Sequence, residues 1–101
     1  MAQFDVYRLP RGADSILAVD LQNKLFDGLA TRVVAPLYAL KAKDKPILRL
    51  NPVVEIEGRR YFLAIQEMSA LRVKSLGAKV ASLEAQRDEI IAAVDFLITS
   101  I

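Results

Sequence analysis

The side chains that most often carry chemistry near neutral pH are missing from this chain, which has no histidine, no cysteine and no tryptophan among 101 residues. That removes the usual general base, the thiol nucleophile and the common metal ligands together. Five serines remain (Ser15, Ser69, Ser75, Ser82 and Ser100), and none sits in a recognisable nucleophile elbow. No glycine-rich phosphate loop is present. Glu55 and Glu57 fall on one strand face, but their context is the exposed end of a hairpin. Arg, Lys, Asp and Glu can cleave RNA between them, so enzyme chemistry stays open without a motif to support it. No cofactor, metal or disulfide is implied.

Charge is the next property that can do work. The net charge is only +2, which does not suggest a broad basic surface for nucleic acid. Its distribution is uneven. Between Arg32 and Arg49 lie five bases (Arg32, Lys41, Lys43, Lys45, Arg49) against one acid, Asp44. The last twenty residues reverse this, with Glu84, Asp88, Glu89 and Asp95 against Arg87. One molecule thus carries a basic patch and an acidic helix, and solvated surface charge is the plain alternative.

The elements that position these groups are mostly strands. Gln3 to Tyr7 alternates as a strand, with Phe4 and Val6 on one face and Asp5 and Tyr7 on the other. Residues 9–15 read as a loop through Pro10, Gly12 and Asp14, and Ile16 to Leu21 as a strand buried on both faces. In the loop from Gln22 to Leu29, with its Asp27-Gly28 turn, Leu25 and Phe26 stand side by side. A polar loop rarely buries two large apolar residues together. Thr31 to Leu40 is a strand in which Pro36 predicts an edge or a bulge. Lys41 to Pro46 is a basic connection, and Leu48 to Ile56 a strand bent at Pro52. Glu57-Gly58 turns it into Arg59 to Ile65, the clearest hairpin. Leu71 to Lys74 alternates again, and Gly77 leads toward a C-terminal helix.

That helix is predicted from Ser82, as N-cap, to Ile101, with Glu84 at the positive end of its dipole. Leu83, Ile90, Val94, Leu97 and Ile101 form one apolar stripe, while Ile91, Phe96 and Ile98 point away from it. From Ile90 onward the helix is apolar nearly all round and must be covered on more than one side. Either a second subunit or partner covers it, or the helix plugs a small core with Ile101 packed inside. With 53% hydrophobic residues the chain suits a single domain spanning residues 1–101, mainly β with a C-terminal α-helix: a small, strongly bent antiparallel barrel with a filled interior. The start of the chain lacks the pattern of a secretory signal, and no apolar run approaches a membrane span, which suits a soluble cytoplasmic protein without a membrane partner.

Phe4-x-Val6-Tyr7, Val19-Asp20-Leu21-Gln22 with Leu25-Phe26-Asp27, Thr31-Arg32-Val33-Val34-x-Pro36-Leu37, Pro52-Val53-Val54-x-Ile56 and a terminal helix ending in Ile101 together resemble the CcdB family of toxins from toxin–antitoxin modules. The set is co-linear from end to end. The resemblance implies an SH3-like barrel with a C-terminal helix, assembled as a homodimer. It also implies an activity: binding the A subunit of DNA gyrase and trapping the enzyme on cleaved DNA. A CcdA-type antitoxin would neutralise it, and the toxin–antitoxin complex would bind operator DNA and repress its own operon, as in plasmid maintenance systems. Carried over residue by residue, the gyrase-binding set is Thr99, Ser100, Ile101, Asp95, Leu25 and Phe26. The family's usual ending is Trp-Gly-Ile, and here only Ile101 agrees. Arg11, Lys41, Lys43, Lys45 and Arg49 are expected to face the acidic antitoxin, and Ile91, Ile98 and Ile101 to lie at the dimer interface. Two other functions stay open: a MazF-like endoribonuclease on the same barrel, and a non-toxic remnant that only binds antitoxin.

Overall fold

The computed structural model describes residues 2–10 and 16–100. Seven strands, β1 (Asp5–Leu9), β2 (Ile16–Asp20), β3 (Thr31–Ala39), β4 (Val53–Ile56), β5 (Arg59–Leu63), β6 (Ser69–Arg72) and β7 (Lys79–Ser82), precede one helix, α1 (Arg87–Thr99). The strands form one antiparallel sheet in the order β4-β5-β3-β2-β1-β7, with β6 pairing β3. The predicted class therefore stands: mainly β, a curled SH3-like half-barrel closed by a C-terminal helix.

The curl is built around β3. One edge pairs with β2, while the other pairs with β6 through Thr31–Val34 and with β5 through Leu37–Ala39. Pro36 stands at the change of partner, where its missing N–H costs the ladder little. Its carbonyl is still used, accepting from the Ala64 amide at 2.9 Å. The β4–β5 hairpin turns through Glu57 (φ 51°) and Gly58 (φ 79°), two left-handed residues that match the strand twist.

Side chains from both ends of the chain fill the inside of the curl. Phe4, Val6, Leu17, Val19, Ala35, Leu37, Val54, Ile56, Leu63 and Ile65 pack with Leu83, Ile90 and Ala93. A second small cluster, Leu9, Ala18 and Val34 with Leu71 and Leu76, occupies the outer face of β1–β3. That is why β2 is apolar on both faces, as predicted.

Several boundaries differ from the sequence reading. β1 starts at Asp5, because Phe4 adopts a left-handed backbone (φ 72°) while its amide donates to the Asp20 carbonyl at 2.6 Å. Asp5 and Tyr7, on the face opposite Phe4 and Val6, are buried as well. The expected strand from Leu48 is a tight turn instead. Asn51 accepts from the Ile47 amide (2.9 Å) and donates to the Leu63 carbonyl (3.0 Å) and to Gln66 (2.8 Å), pulling the chain into a loop before β4. The predicted strand at Leu71 lies earlier, as β6, and the stretch after Gly77, expected only to lead into the helix, forms β7.

The helix is also shorter than predicted. Ser82 is the last residue of β7, paired with Asp5. Its hydroxyl accepts from the Glu84 amide, but a short 3₁₀ turn, Glu84–Gln86, comes before α1. Within α1, only Ile90 and Ala93 are fully buried. Leu83 and Ile90 are buried in the core, half-buried Val94 packs against it, and Leu97 is exposed, so the predicted stripe leaves the core at Leu97.

Candidate functional site

Asp20, at the end of β2, is fully buried, as is Arg32 near the start of β3. An Asp20 carboxylate oxygen accepts from Arg32 Nε at 3.1 Å and Nη2 at 2.5 Å, and the other oxygen accepts from the Gln22 amide at 2.9 Å. Arg32 Nη1 reaches outward to Asp27 Oδ1 at 2.6 Å. Burial by itself would lower the Arg32 pKa; the hydrogen bonds to Asp20 and Asp27 and the charges of both carboxylates outweigh it and hold the guanidinium above its ordinary value. Arg32 is thus no part of a basic surface, contrary to the sequence reading, which counted it with the lysines. Nearby, Tyr7 donates to Asp5 at 3.4 Å, and burial together with the charges of Asp5 and Asp20 raises its pKa.

The loop that Arg32 braces carries the apolar pair singled out in the sequence. Asn23 Oδ1 caps the Leu25 amide at 2.8 Å and starts the 3₁₀ turn Lys24–Phe26. The Gln22 side chain donates to the carbonyls of Phe26 (3.0 Å) and Thr31 (3.3 Å) and accepts from the Val33 amide (3.1 Å). Leu25 is 81% exposed, Phe26 50% and Leu29 53%. The expectation that a polar loop would not bury Leu25 and Phe26 together matches this geometry.

An apolar groove of about 280 Å³ runs beside this turn, lined by Phe4, Leu21, Gln22, Val33, Met68, Ile90, Ile91, Val94 and Asp95. Gln22 joins the groove to the turn, and Asp95 joins it to the end of α1. Asp95 thus lines the groove, and Gln22 links it by a hydrogen bond to the turn that carries Leu25 and Phe26. Ile91 lines it, and Ile98, one heptad on along the helix, is 66% exposed. Thr99 and Ser100 are both exposed. Thr99 Oγ1 donates to the Asp95 carbonyl at 2.7 Å, and Ser100 closes the helix in a left-handed conformation with its amide on the Phe96 carbonyl at 2.9 Å.

Lys41, Lys43 and Lys45 are exposed on the connection after β3. Arg49, left-handed at φ 73°, instead lays its guanidinium 4.5 Å from the centre of the Phe96 ring. Phe96, expected to need an outside partner, is therefore covered within the chain. Arg11 and Ile101 lie outside the described residues.

Sequence reasoning missed the bracing residues Asp20, Asp27 and Gln22 and the groove residues Leu21, Val33 and Met68. A signal for the first group was present: carboxylates at both ends of an eight-residue span, with an arginine beyond it. Only the β2–β3 pairing turns that spacing into contacts. No helix among the described residues is long and apolar enough to cross a membrane.

A family model described as CcdB protein matches residues 3–100. No curated protein matches the sequence significantly. Among solved structures, an endoribonuclease in complex with its cognate antitoxin, from a mycobacterial species, superimposes with a TM-score of 0.76 at 15% identity, over 94% of this chain and 91% of that one. The Mycobacterium tuberculosis toxin MazF-mt6 does so at 0.71 and 14%, over 90% and 92%. At such identities the likeness is one of fold.

Proposed function

Because the chain belongs to the CcdB family of toxin–antitoxin toxins, we propose that it is a protein poison of DNA gyrase, binding the A subunit and holding the enzyme on cleaved DNA. The observation that carries this reading is the exposed apolar pair on the turn after β2. Leu25 and Phe26 are large, solvent-facing neighbours on one turn, held outward in a chain too small to leave such a surface without use. Asp95, Thr99, Ser100 and Ile101 complete the gyrase-binding surface at the helix end. A homodimer forms along Ile91, Ile98 and Ile101. The antitoxin, an acidic CcdA-type segment that folds on binding, meets Lys41, Lys43, Lys45 and Arg11 in the cytoplasm, and the complex represses its own operon through antitoxin-borne DNA contacts. Arg49 belongs to this set only if binding displaces it from Phe96.

A second reading, an endoribonuclease, draws support from the fold shared with the two mycobacterial toxins. It must work without histidine, on Arg, Lys, Asp and Glu. One experiment separates the two. Purified protein is mixed with gyrase and supercoiled DNA, and in parallel with total RNA. The gyrase reading expects accumulation of linear DNA after detergent and protease treatment, with RNA left intact. RNA cleavage without a cleaved DNA complex would establish the ribonuclease. Neither product, with antitoxin still bound, would leave an antitoxin-binding remnant.

A further inference from the structure

We propose that Asp27 and Gln22 are positioning residues for target binding, holding the Leu25–Phe26 turn as a preformed apolar anchor braced from the buried Asp20–Arg32 pair. The inference rests on the gyrase reading above and adds the residues that prepare the surface.

The turn has no packing reason to keep one shape. None of the residues Lys24–Phe26 is buried, and Leu25 and Phe26 would lose apolar exposure by folding inward. What holds them out is polar. Arg32 Nη1 ties Asp27 at 2.6 Å, Gln22 Nε2 donates to the Phe26 carbonyl at 3.0 Å, and Asn23 caps the turn at 2.8 Å. Arg32 is itself immobilised by two bonds to Asp20, so a continuous line of hydrogen bonds runs from the core to the exposed tip. Asp20 already balances the charge of Arg32. Asp27 is a second carboxylate, surplus to neutrality, and its bond fixes the loop rather than the core. Bonds to a desolvated guanidinium are short and directional, which suits a bracket. A turn held in its bound shape loses less freedom on binding, and so binds more tightly for the same contacts.

The test compares Asp27→Ala, Gln22→Ala and the acceptor-retaining Asp27→Asn with Leu25→Ala and Phe26→Ala. Hydrogen exchange reports the amides of residues 25–29, and calorimetry with purified gyrase A subunit reports affinity. Asp27→Ala and Gln22→Ala are expected to speed exchange in the turn alone and to weaken binding roughly tenfold, with Asp27→Asn recovering most of the loss. If Asp27→Ala does not fold, Gln22→Ala and Asp27→Asn carry the comparison. Unchanged exchange in the turn overturns the proposal, as does faster exchange with undiminished affinity. If the two apolar variants weaken binding while the tether variants do not, positioning alone is wrong. If the unmodified protein does not bind gyrase A, the gyrase reading fails and the positioning role with it.

Discussion

At the scale of single residues, the tightest constraint lies at Gly77 rather than at any charged group. Its amide donates to the Arg8 carbonyl at 2.7 Å, and a Cβ at this position would stand 2.5 Å from that same oxygen. The obstacle is backbone in β1, which cannot swing aside as a side chain would. Gly77→Ala must push β1 and the approach to β7 apart, at a cost of roughly 1–3 kcal/mol, as for other insertions into close-packed sites. Urea denaturation should show a lower midpoint with an unchanged slope. A variant as stable as the parent would mean that this close approach is slack. The Asp20–Arg32 pair behaves differently. Removing Arg32 leaves the buried Asp20 carboxylate uncompensated, removing Asp20 leaves Arg32 only its outer partner Asp27, and a change at Asp27 affects only the outer arm.

At the scale of elements, α1 divides into an anchored half and a free half. Ile90 and Ala93 are buried against the curl and Phe96 is covered by Arg49, but Leu97 and Ile98 face outward and Thr99 and Ser100 form an exposed end. The last turn of any helix leaves carbonyls without intrahelical partners and frays readily. Deleting residues 99–101 should therefore change the melting temperature by no more than about 4–8 °C, the shift expected for ~1 kcal/mol in a domain of this size. Growth arrest on expression should be lost. Thr99→Trp with Ser100→Gly, restoring the family's usual ending, should keep or raise it. A collapse of the fold on truncation would show that the tip is core, the alternative that the helix pattern left open.

At the scale of the whole molecule, two surfaces remain to be covered: the groove beside Ile91 and the lysine-bearing connection. Covering each large side chain fully contributes about 1.5–3 kcal/mol, so Ile91 and Ile98 are expected to be main stabilising contacts of a pair of copies. One sedimentation series tests both surfaces. The protein alone should sediment at twice its 11.2 kDa chain mass, and Ile91→Asp should return it to the monomer. Its antitoxin complex should weaken as salt rises, and Lys43→Glu with Lys45→Glu should mainly slow association. A monomeric parent removes the dimer, and indifference to salt and charge reversal reduces the lysines to solvated surface.

Local pattern determined much of this protein: alternation and turn residues in the strands, the Glu57-Gly58 hairpin, the apolar C-terminal helix, and Leu25 and Phe26 as residues with no place inside. These follow from the chain's own periodicity, because a side chain's face is set by its neighbours along one element. The co-linear residues carried the family as well. Only tertiary structure decided that Arg32 is buried and paired, that Arg49 lies over Phe96, that Ser82 ends a strand, and that Ala93 rather than Leu97 meets the core. Each of these depends on a partner far away in sequence (Asp20 across the β2–β3 pair, Phe96 on α1, Asp5 on β1), and no local spacing encodes which distant group will arrive.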